Sequence, residues 1–330
     1  MIDVIQRFGT ARSLAVALLA SAPFVAAAQN ATPNDWLRDM AEVVADADYE
    51  GTVIRRQNGT SEALKIVHKI VDGVVNEKLI SQEGNGLEII RFGDEVHCIL
   101  PDKKKVLIER WNNQSTLFNS LPNSDASFGA QYNVSIVREG RVAGRAAVLL
   151  AIRPHDEFRF GHRLWLDRET AFPLRTDLID NDGLLIEQIK FADIRIGQPI
   201  PTSALSPSVN LDSFTWYAQP AKQTWVDNET DWAAGDLPAG FRLTSSTIEQ
   251  LPGATATATH IVYSDGLATV SVFVTPKRDK AMARRSSVGS TSAYSIESGD
   301  FQITAIGAVP VETVQRIASS MRQQQGQSLD

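Results

Sequence analysis

Apolar and polar residues alternate along most of the chain between residue 49 and about residue 196. A period of two predicts β-strands, because successive side chains of a strand point to opposite faces of the sheet. Pairs such as Asn58-Gly59 and Asp72-Gly73 separate the alternating runs and are typical of tight hairpin turns. These short gaps leave no room for crossover helices, so we expect one antiparallel sheet, mostly a meander of hairpins. A twisted sheet of about ten strands should curl, split or close.

Helical periodicity appears at two other places. Thr32 is a good N-cap, Pro33 suits the first helical position, and the apolar residues from Leu37 onward fall on one stripe. A second strand-rich unit begins at Trp225, and apolar residues return to helical spacing after Pro310. The sequence therefore predicts a mainly β (α+β) protein, with a large curved antiparallel sheet and a smaller antiparallel sheet that a C-terminal helix covers.

An irregular stretch at residues 112–129 interrupts the strand pattern. It could form a helical plug or a mobile flap over the concave face of the large sheet. Either arrangement would cover an apolar cavity, where a lipid-like ligand would bind. The apolar residues of this segment are Leu117, Phe118, Leu121 and Phe128.

Prolines and serines are frequent between residues 197 and 224 and indicate a boundary, because proline stiffens a connector and interrupts sheet ladders. The predicted organisation is a signal peptide at residues 1–28, a large domain at 29–208, a linker at 209–224, a small domain at 225–322 and a flexible tail at 323–330.

The N-terminus predicts export. Two arginines, Arg7 and Arg12, precede an uncharged run that ends in three alanines, Ala26 to Ala28. A basic start, a short apolar core and an Ala-x-Ala exit are typical of a cleaved secretory signal, whereas a membrane span needs about 20 apolar residues. We therefore expect a soluble protein that works outside the cytoplasm. The chain has 32 Lys and Arg against 39 Asp and Glu, a formal net charge of −7, which argues against a nucleic-acid partner.

Cys98 is the only cysteine, so an intramolecular disulfide is impossible. Alternation places Val96, Cys98 and Leu100 on one face of a strand, which favours a buried, inert thiol. A redox role or an intermolecular disulfide is the alternative.

A search for catalytic motifs finds no nucleophile elbow, phosphate loop or Cys-x-x-Cys pair. His155, Asp156, Glu157 and His162 are close in sequence, but the two histidines are too far apart for a helical metal motif. A polar loop with solvated charges is the favoured interpretation of Asp156 and Glu157, and a structural position in a strand is favoured for His162. A metal site formed by the tertiary structure is the alternative. We predict no enzymatic activity, no cofactor and no metal.

One cluster of cations stands out in this acidic chain. It could bind an acidic peptide or a phosphorylated lipid headgroup, or it could be an exposed connector between two strands. The cluster consists of Lys277, Arg278, Lys280, Arg284 and Arg285.

Several segments together point to a known family: residues 161–167 (GHRLWLD), 260–268 (HIVYSDGLA) and 293–296 (AYSI), with 143–145 (AGR) and 49–52 (YEGT). With these segments the chain resembles the MucB/RseB family over nearly all of its length after the signal. The resemblance implies a large domain similar to the lipoprotein carrier LolA, a half-open antiparallel barrel with helices in its mouth. It implies a periplasmic regulator of the sigma-E envelope stress response.

In that family the protein binds the periplasmic part of a membrane-spanning anti-sigma factor and shields it from a DegS-type protease. Lipopolysaccharide or mislocalised lipoprotein relieves the inhibition. No short motif defines the family's binding residues, so the resemblance transfers no individual site. Two alternatives stay open: a periplasmic lipid or lipoprotein carrier, and a hydrolase with dispersed catalytic residues. A homo-oligomer is possible.

Overall fold

The computed structural model describes residues 31–110, 117–118, 121, 130–218, 223–225, 230–250, 257–277 and 284–324. All of the expected signal peptide and most of the expected tail fall outside these residues, as do Phe128, Arg278 and Lys280.

The first helix, α1, spans Pro33–Asp46 and begins with a capping box. The hydroxyl of Thr32 accepts a hydrogen bond from the Asp35 amide at 3.2 Å, and the Asp35 carboxylate accepts one from the Thr32 amide at 2.9 Å. These two bonds satisfy amides that have no partner inside the helix. Trp36, Leu37 and Met40 are buried, which confirms the predicted helix and its apolar stripe.

A twelve-stranded sheet forms the large lobe, in the order β12-β6-β5-β4-β3-β2-β1-β11-β10-β9-β8-β7. Every pairing is antiparallel except that of β12 with β6. Neighbouring strands are consecutive in the chain except at β12–β6 and β1–β11, so the predicted sheet, mostly a meander, is confirmed with these two exceptions. The strands are β1 (Tyr49–Gln57), β2 (Thr60–Val71), β3 (Val74–Ser81), β4 (Glu88–Phe92), β5 (Glu95–Leu100), β6 (Lys105–Arg110), β7 (Tyr132–Val142), β8 (Arg145–Pro154), β9 (Gly161–Asp167), β10 (Pro173–Ile179), β11 (Leu185–Ile196) and β12 (Thr215–Ala218).

The predicted hairpin turns have the backbone that their residues favour. Asn58 and Gly59 have φ values of 53° and 76°, and Asp72 and Gly73 have values of 52° and 76°. Two consecutive residues with positive φ match the right-handed twist of the flanking strands.

Aromatic residues pack beside these strands, with Tyr49 against Phe172 at a centroid distance of 4.7 Å.

Residues 197–214 lie on the outer surface of the large sheet. Ile200 and Leu205 are buried against Val67. A buried ion pair, Lys78 with Glu88 at 3.6 Å, lies beneath this segment, and the Lys78 ammonium also donates to the carbonyl of residue 206. Leu211 and Phe214, in the first part of the predicted linker (209–224), pack against the buried residues Ile90, Ile99 and Val106 before the chain enters β12. The role of the linker as a hinge stays a prediction.

A seven-stranded antiparallel sheet forms the small lobe, in the order β13-β15-β16-β17-β20-β19-β18. A two-stranded sheet pairs β14 with β21. The elements are β13 (Gln223–Trp225), β14 (Trp232–Ala234), β15 (Arg242–Gln250), β16 (Thr257–Ser264), β17 (Thr269–Pro276), β18 (Arg284–Val288), β19 (Thr291–Ser298), β20 (Phe301–Gly307), α2 (Val311–Ser320) and β21 (Met321–Gln323).

The helix α2 covers one face of the small sheet, as predicted. Val314 and Ile317 are fully buried and belong to the same core cluster as Val270, Val272 and Ile303. The helix thus supplies the apolar layer that a single sheet lacks. Within the described residues, no helix has both the length and the apolar character needed to cross a membrane.

Candidate functional site: the cleft between the lobes

Two cavities lie between the lobes, and residues of both sheets line each of them. The larger interlobe cavity has a volume of about 440 Å³ and the smaller one about 230 Å³. Leu64, Leu79 and Ile89 give the larger cavity an apolar wall from the large sheet, and Thr291 closes it from the small lobe. An apolar wall with a few polar groups is the usual composition of a ligand or peptide site.

Glu187 divides the two cavities and lines both. Its carboxylate accepts hydrogen bonds from the Arg55 guanidinium at 2.9 Å and from the Gln57 amide at 3.2 Å. It also accepts a bond at 3.1 Å from the hydroxyl of Ser290, in the small lobe. Glu187 therefore links the lobes and places one compensated negative charge at the centre of the cleft.

A buried network, which we call the Arg159 cluster, forms a second link. It comprises Tyr132, Asp156 and Arg159 of the large lobe and Asp265 of the small lobe. The Asp265 carboxylate accepts from the Arg159 Nε at 2.5 Å and from the Tyr132 hydroxyl at 2.8 Å. Arg159 also donates to the Asp156 carboxylate and to the carbonyl of Ala239, and it is fully buried.

The two carboxylate oxygens of Asp265 accept different sets of hydrogen bonds. Its Oδ1 accepts the backbone amides of Leu267 at 3.0 Å and Ala268 at 2.7 Å and so shapes the β16–β17 turn. Its Oδ2 binds the Arg159 cluster across the lobes. Burial, followed by the neighbouring Asp265 charge, raises the pKa of Tyr132 far above its usual value, so the phenol stays protonated and donates.

His162 lines the smaller interlobe cavity beside this cluster. Burial lowers its pKa to about 4, and the Asp265 charge opposes that effect only in part. The imidazole is therefore neutral at physiological pH. The position in β9 agrees with the structural role that the sequence favours for this residue.

The four polar residues His155, Asp156, Glu157 and His162 have different surroundings, although one cavity includes them all. Asp156 binds Arg159, while His155 and Glu157 are exposed. All four residues line a third cavity of about 440 Å³ beside β8 and β9. In the described part of the chain, no group of three or more His, Cys, Asp and Glu side chains is placed to hold a metal ion.

The predicted cationic cluster is only partly a loop. Arg284 and Arg285 lie in β18, at one edge of the small sheet, and both are exposed. Arg285 donates to the Gln315 side chain of α2, and Lys277 pairs with Glu297. Arg278 and Lys280 lie outside the described residues, so binding by the whole cluster stays a prediction.

The predicted apolar segment contributes to both interlobe cavities. Leu117 and Phe118 are each 5% exposed, and Phe118 packs at 5.7 Å from Phe172 in the large core. Leu117 lines the larger interlobe cavity and Leu121 the smaller one. Phe128 lies outside the described residues, and a flap motion stays a prediction.

Sequence reasoning missed the Arg159 cluster. In the sequence, Asp265 lies in the turn-forming tripeptide Ser264-Asp265-Gly266, and Arg159 follows Asp156 and Glu157 in the segment interpreted as a solvated loop. An arginine between two phenylalanines, Phe158 and Phe160, was the one available signal, because apolar neighbours suggest burial.

Cys98 is half-buried rather than buried, and burial raises the pKa of its thiol to about 11.

Family models match both parts of the chain in order. The model described as the MucB/RseB N-terminal domain matches residues 32–209, and the MucB/RseB C-terminal domain matches residues 226–322. The Sigma factor AlgU regulatory protein MucB of Pseudomonas aeruginosa is 31% identical over 92% of this chain and 95% of its own length. The Sigma-E factor regulatory protein RseB of Haemophilus influenzae is 26% identical over 94% of this chain and 96% of its own.

Solved structures give the same match. A crystal structure of MucB in complex with MucA(peri) has a TM-score of 0.69 at 28% identity and covers 89% of this chain and 100% of that chain. The complex structure of Pseudomonas aeruginosa MucA/MucB has a TM-score of 0.70 at 28% identity, with 90% and 100% covered.

Proposed function

This chain belongs to the MucB/RseB family, and on that premise we propose that it is a periplasmic negative regulator that binds the periplasmic domain of a membrane-spanning anti-sigma factor. The observation that carries the proposal is the match, across 89% of this chain, to a MucB structure solved in complex with MucA(peri). The similarity includes both lobes and therefore the cleft between them. A two-lobed cleft with an apolar wall suits capture of an extended segment of the partner.

Binding would protect the anti-sigma factor from a DegS-type protease. Proteases act on extended, accessible segments, and a segment ordered in the cleft is no longer accessible. A lipid signal, such as lipopolysaccharide or mislocalised lipoprotein, would release the partner if it binds better to the free form of the regulator, because a ligand shifts an equilibrium only by its differential affinity. The apolar residues of the larger interlobe cavity, including Leu117, support acyl-chain binding there.

The expected signal peptide supports export, and we propose that the protein acts in the periplasm, where the partner's domain would be exposed. The cations of β18 are the proposed contact for acidic residues of the partner. Arg284 and Arg285 are exposed on an edge strand, and an edge strand can also pair with an extended peptide through its backbone.

Protease protection tests the proposal. The protein without residues 1–28 is mixed with the periplasmic domain of the cognate anti-sigma factor and a DegS-type protease. At a protein concentration well above Kd, we expect cleavage to be at least about tenfold slower than without the protein. Equal cleavage rates with and without the protein would refute the function.

A pair of charge reversals tests the proposed β18 contact separately from the regulatory function. Arg284→Glu with Arg285→Glu should weaken binding, and more strongly at low salt, because screening is then weakest. Lys103→Glu with Lys104→Glu makes the same change of charge in the β5–β6 turn and should leave binding unchanged. If both double variants bind like the wild type, β18 is not a contact, although the regulatory function stands.

The apolar wall of the larger interlobe cavity also favours a lipid or lipoprotein carrier as the alternative. A carrier must transfer its cargo between membranes without an anti-sigma factor. Transfer of lipoprotein to a receptor by this protein alone, together with no protection in the cleavage assay, would favour that alternative.

A further inference from the structure

The outer face of the large sheet carries a broad set of cations that the cleft does not use. We call it the outer-face array; it lies on strands β7–β11 and β1. Five of its six cations are exposed and the sixth, Arg175, is half-buried. Its members are Arg56, Arg138, Arg153, Arg163, Arg175 and Lys190.

Strand register places these side chains on one face, because directly opposed residues of antiparallel strands point the same way. One row of opposed residues runs across six strands through Ser135, Ala151, Arg163, Asp177, Gln188 and Arg56. The next row runs through Arg138, Leu149, Trp165, Arg175, Lys190 and Ile54. Arg153 follows Ala151 by two residues in β8 and shares its face.

Asp156, Glu157 and Asp180 line a cavity together with Arg153 and Arg163 at one end of this array, and few acids lie elsewhere on it. Asp177 accepts two hydrogen bonds from Arg175, at 2.7 and 2.8 Å, and is buried. Asp167, further along the same face, is bound by Arg145 at 2.8 and 2.9 Å. The exposed Asp193 lies beyond Lys190 at the border of the array. Among the residues that the structure describes, the five exposed cations form no salt bridge.

The shape of the array favours a surface over a single ligand. Neighbouring strands are about 4.8 Å apart, so the rows extend about 24 Å across the sheet from β7 to β1. A linear peptide or one headgroup would reach only part of such a two-dimensional array. A membrane with anionic headgroups can meet several of the five exposed cations at once, and each contributes about a fivefold gain in partitioning.

We propose that the outer-face array binds the surface of a bilayer rich in anionic phospholipid. This contact is distinct from the acyl-chain site and the anti-sigma factor contact that are proposed above. It would orient the protein with the outer face of its large sheet towards the headgroups. The inference does not depend on the proposed regulatory function.

Vesicle co-sedimentation with the chain lacking residues 1–28 tests the proposal. Vesicles of phosphatidylglycerol and phosphatidylethanolamine should bind the protein at about 50 mM salt and release it at about 500 mM, while phosphatidylcholine vesicles should not bind it. Arg163→Glu with Lys190→Glu should lower the partition coefficient at least about tenfold. Lys103→Glu with Lys104→Glu, which makes the same change of charge elsewhere, should retain binding.

Thermal melts of both double variants should match the wild type, since the substituted side chains are exposed and have no ion-pair partner among the described residues. The proposal is overturned if the wild type ignores phosphatidylglycerol, or if the array variant and the control lose binding equally. Binding of the array to soluble polyglutamate but not to vesicles would also overturn it and would identify an acidic polypeptide as the partner.

Discussion

The Arg159 cluster and the outer-face array are both built around arginine, but their surroundings differ. Arg159 is fully buried, and each of its nitrogens has a partner in the cleft region. Arg163, only four residues away in the sequence, is exposed and has no carboxylate partner among the described residues. A buried charge must be paired because desolvation is costly, whereas an exposed cation is solvated and can meet a partner from outside. Burial therefore separates a structural arginine from one that is available for binding.

Substitution of Arg159, the buried arginine, should have the largest effect on the free energy of unfolding. Arg159→Met would leave the Asp265 carboxylate buried without its cation, and we expect a loss of about 3 kcal/mol in the free energy of unfolding. Urea denaturation measures this loss. Because Asp265 joins the lobes, the variant should also lose cooperativity between them, seen as two separate transitions.

A double-mutant cycle sharpens this first prediction. Asp265→Asn combined with Arg159→Met should cost less than the sum of the two single substitutions, because the pair is removed together. Additive losses would mean that the two side chains contribute to stability independently. Arg163→Met is the matched control for loss of an arginine.

His162 should give an intermediate, pH-dependent effect. Its folded pKa of about 4 is below the ordinary value of 6.5, so the unfolded chain binds more protons between these values. The stability that neutral His162 contributes is fully present above about pH 6.5 and is lost as the pH falls towards 4. In thermal melts across this window, His162→Gln should lose less stability than the wild type. Parallel pH profiles of the two proteins would contradict this assignment.

Neutral changes in the outer-face array should have the smallest effect on stability. Arg163→Gln and Lys190→Gln should each change the free energy of unfolding by less than about 0.5 kcal/mol, because the side chains are exposed. A loss as large as that of Arg159→Met would show that the array is structural. The comparison of buried and exposed arginine would then fail.

Local chemistry made much of the fold predictable. The period of two and the turn pairs at Asn58-Gly59 and Asp72-Gly73 indicated the meander, and Thr32 and Pro33 indicated α1. These signals depend on neighbours in the sequence and need no tertiary information. Strand β12 was missed because it is short and pairs in parallel with β6, a contact that no local pattern records. Strand β18 was missed because its five residues are all exposed and show no alternation in burial.

The sequence by itself determined the alternation that builds two antiparallel sheets, the capped helix and the family to which the chain belongs. Only the tertiary structure decided which charges are buried. Arg159 and Asp265 are 106 residues apart and meet only when the lobes meet. The outer-face array likewise arises from register, since Arg56 and Arg163 share a face only because four strands pair in one alignment. The spacing of apolar residues is a local property of the sequence, whereas the burial of a charged side chain depends on all the elements that pack around it.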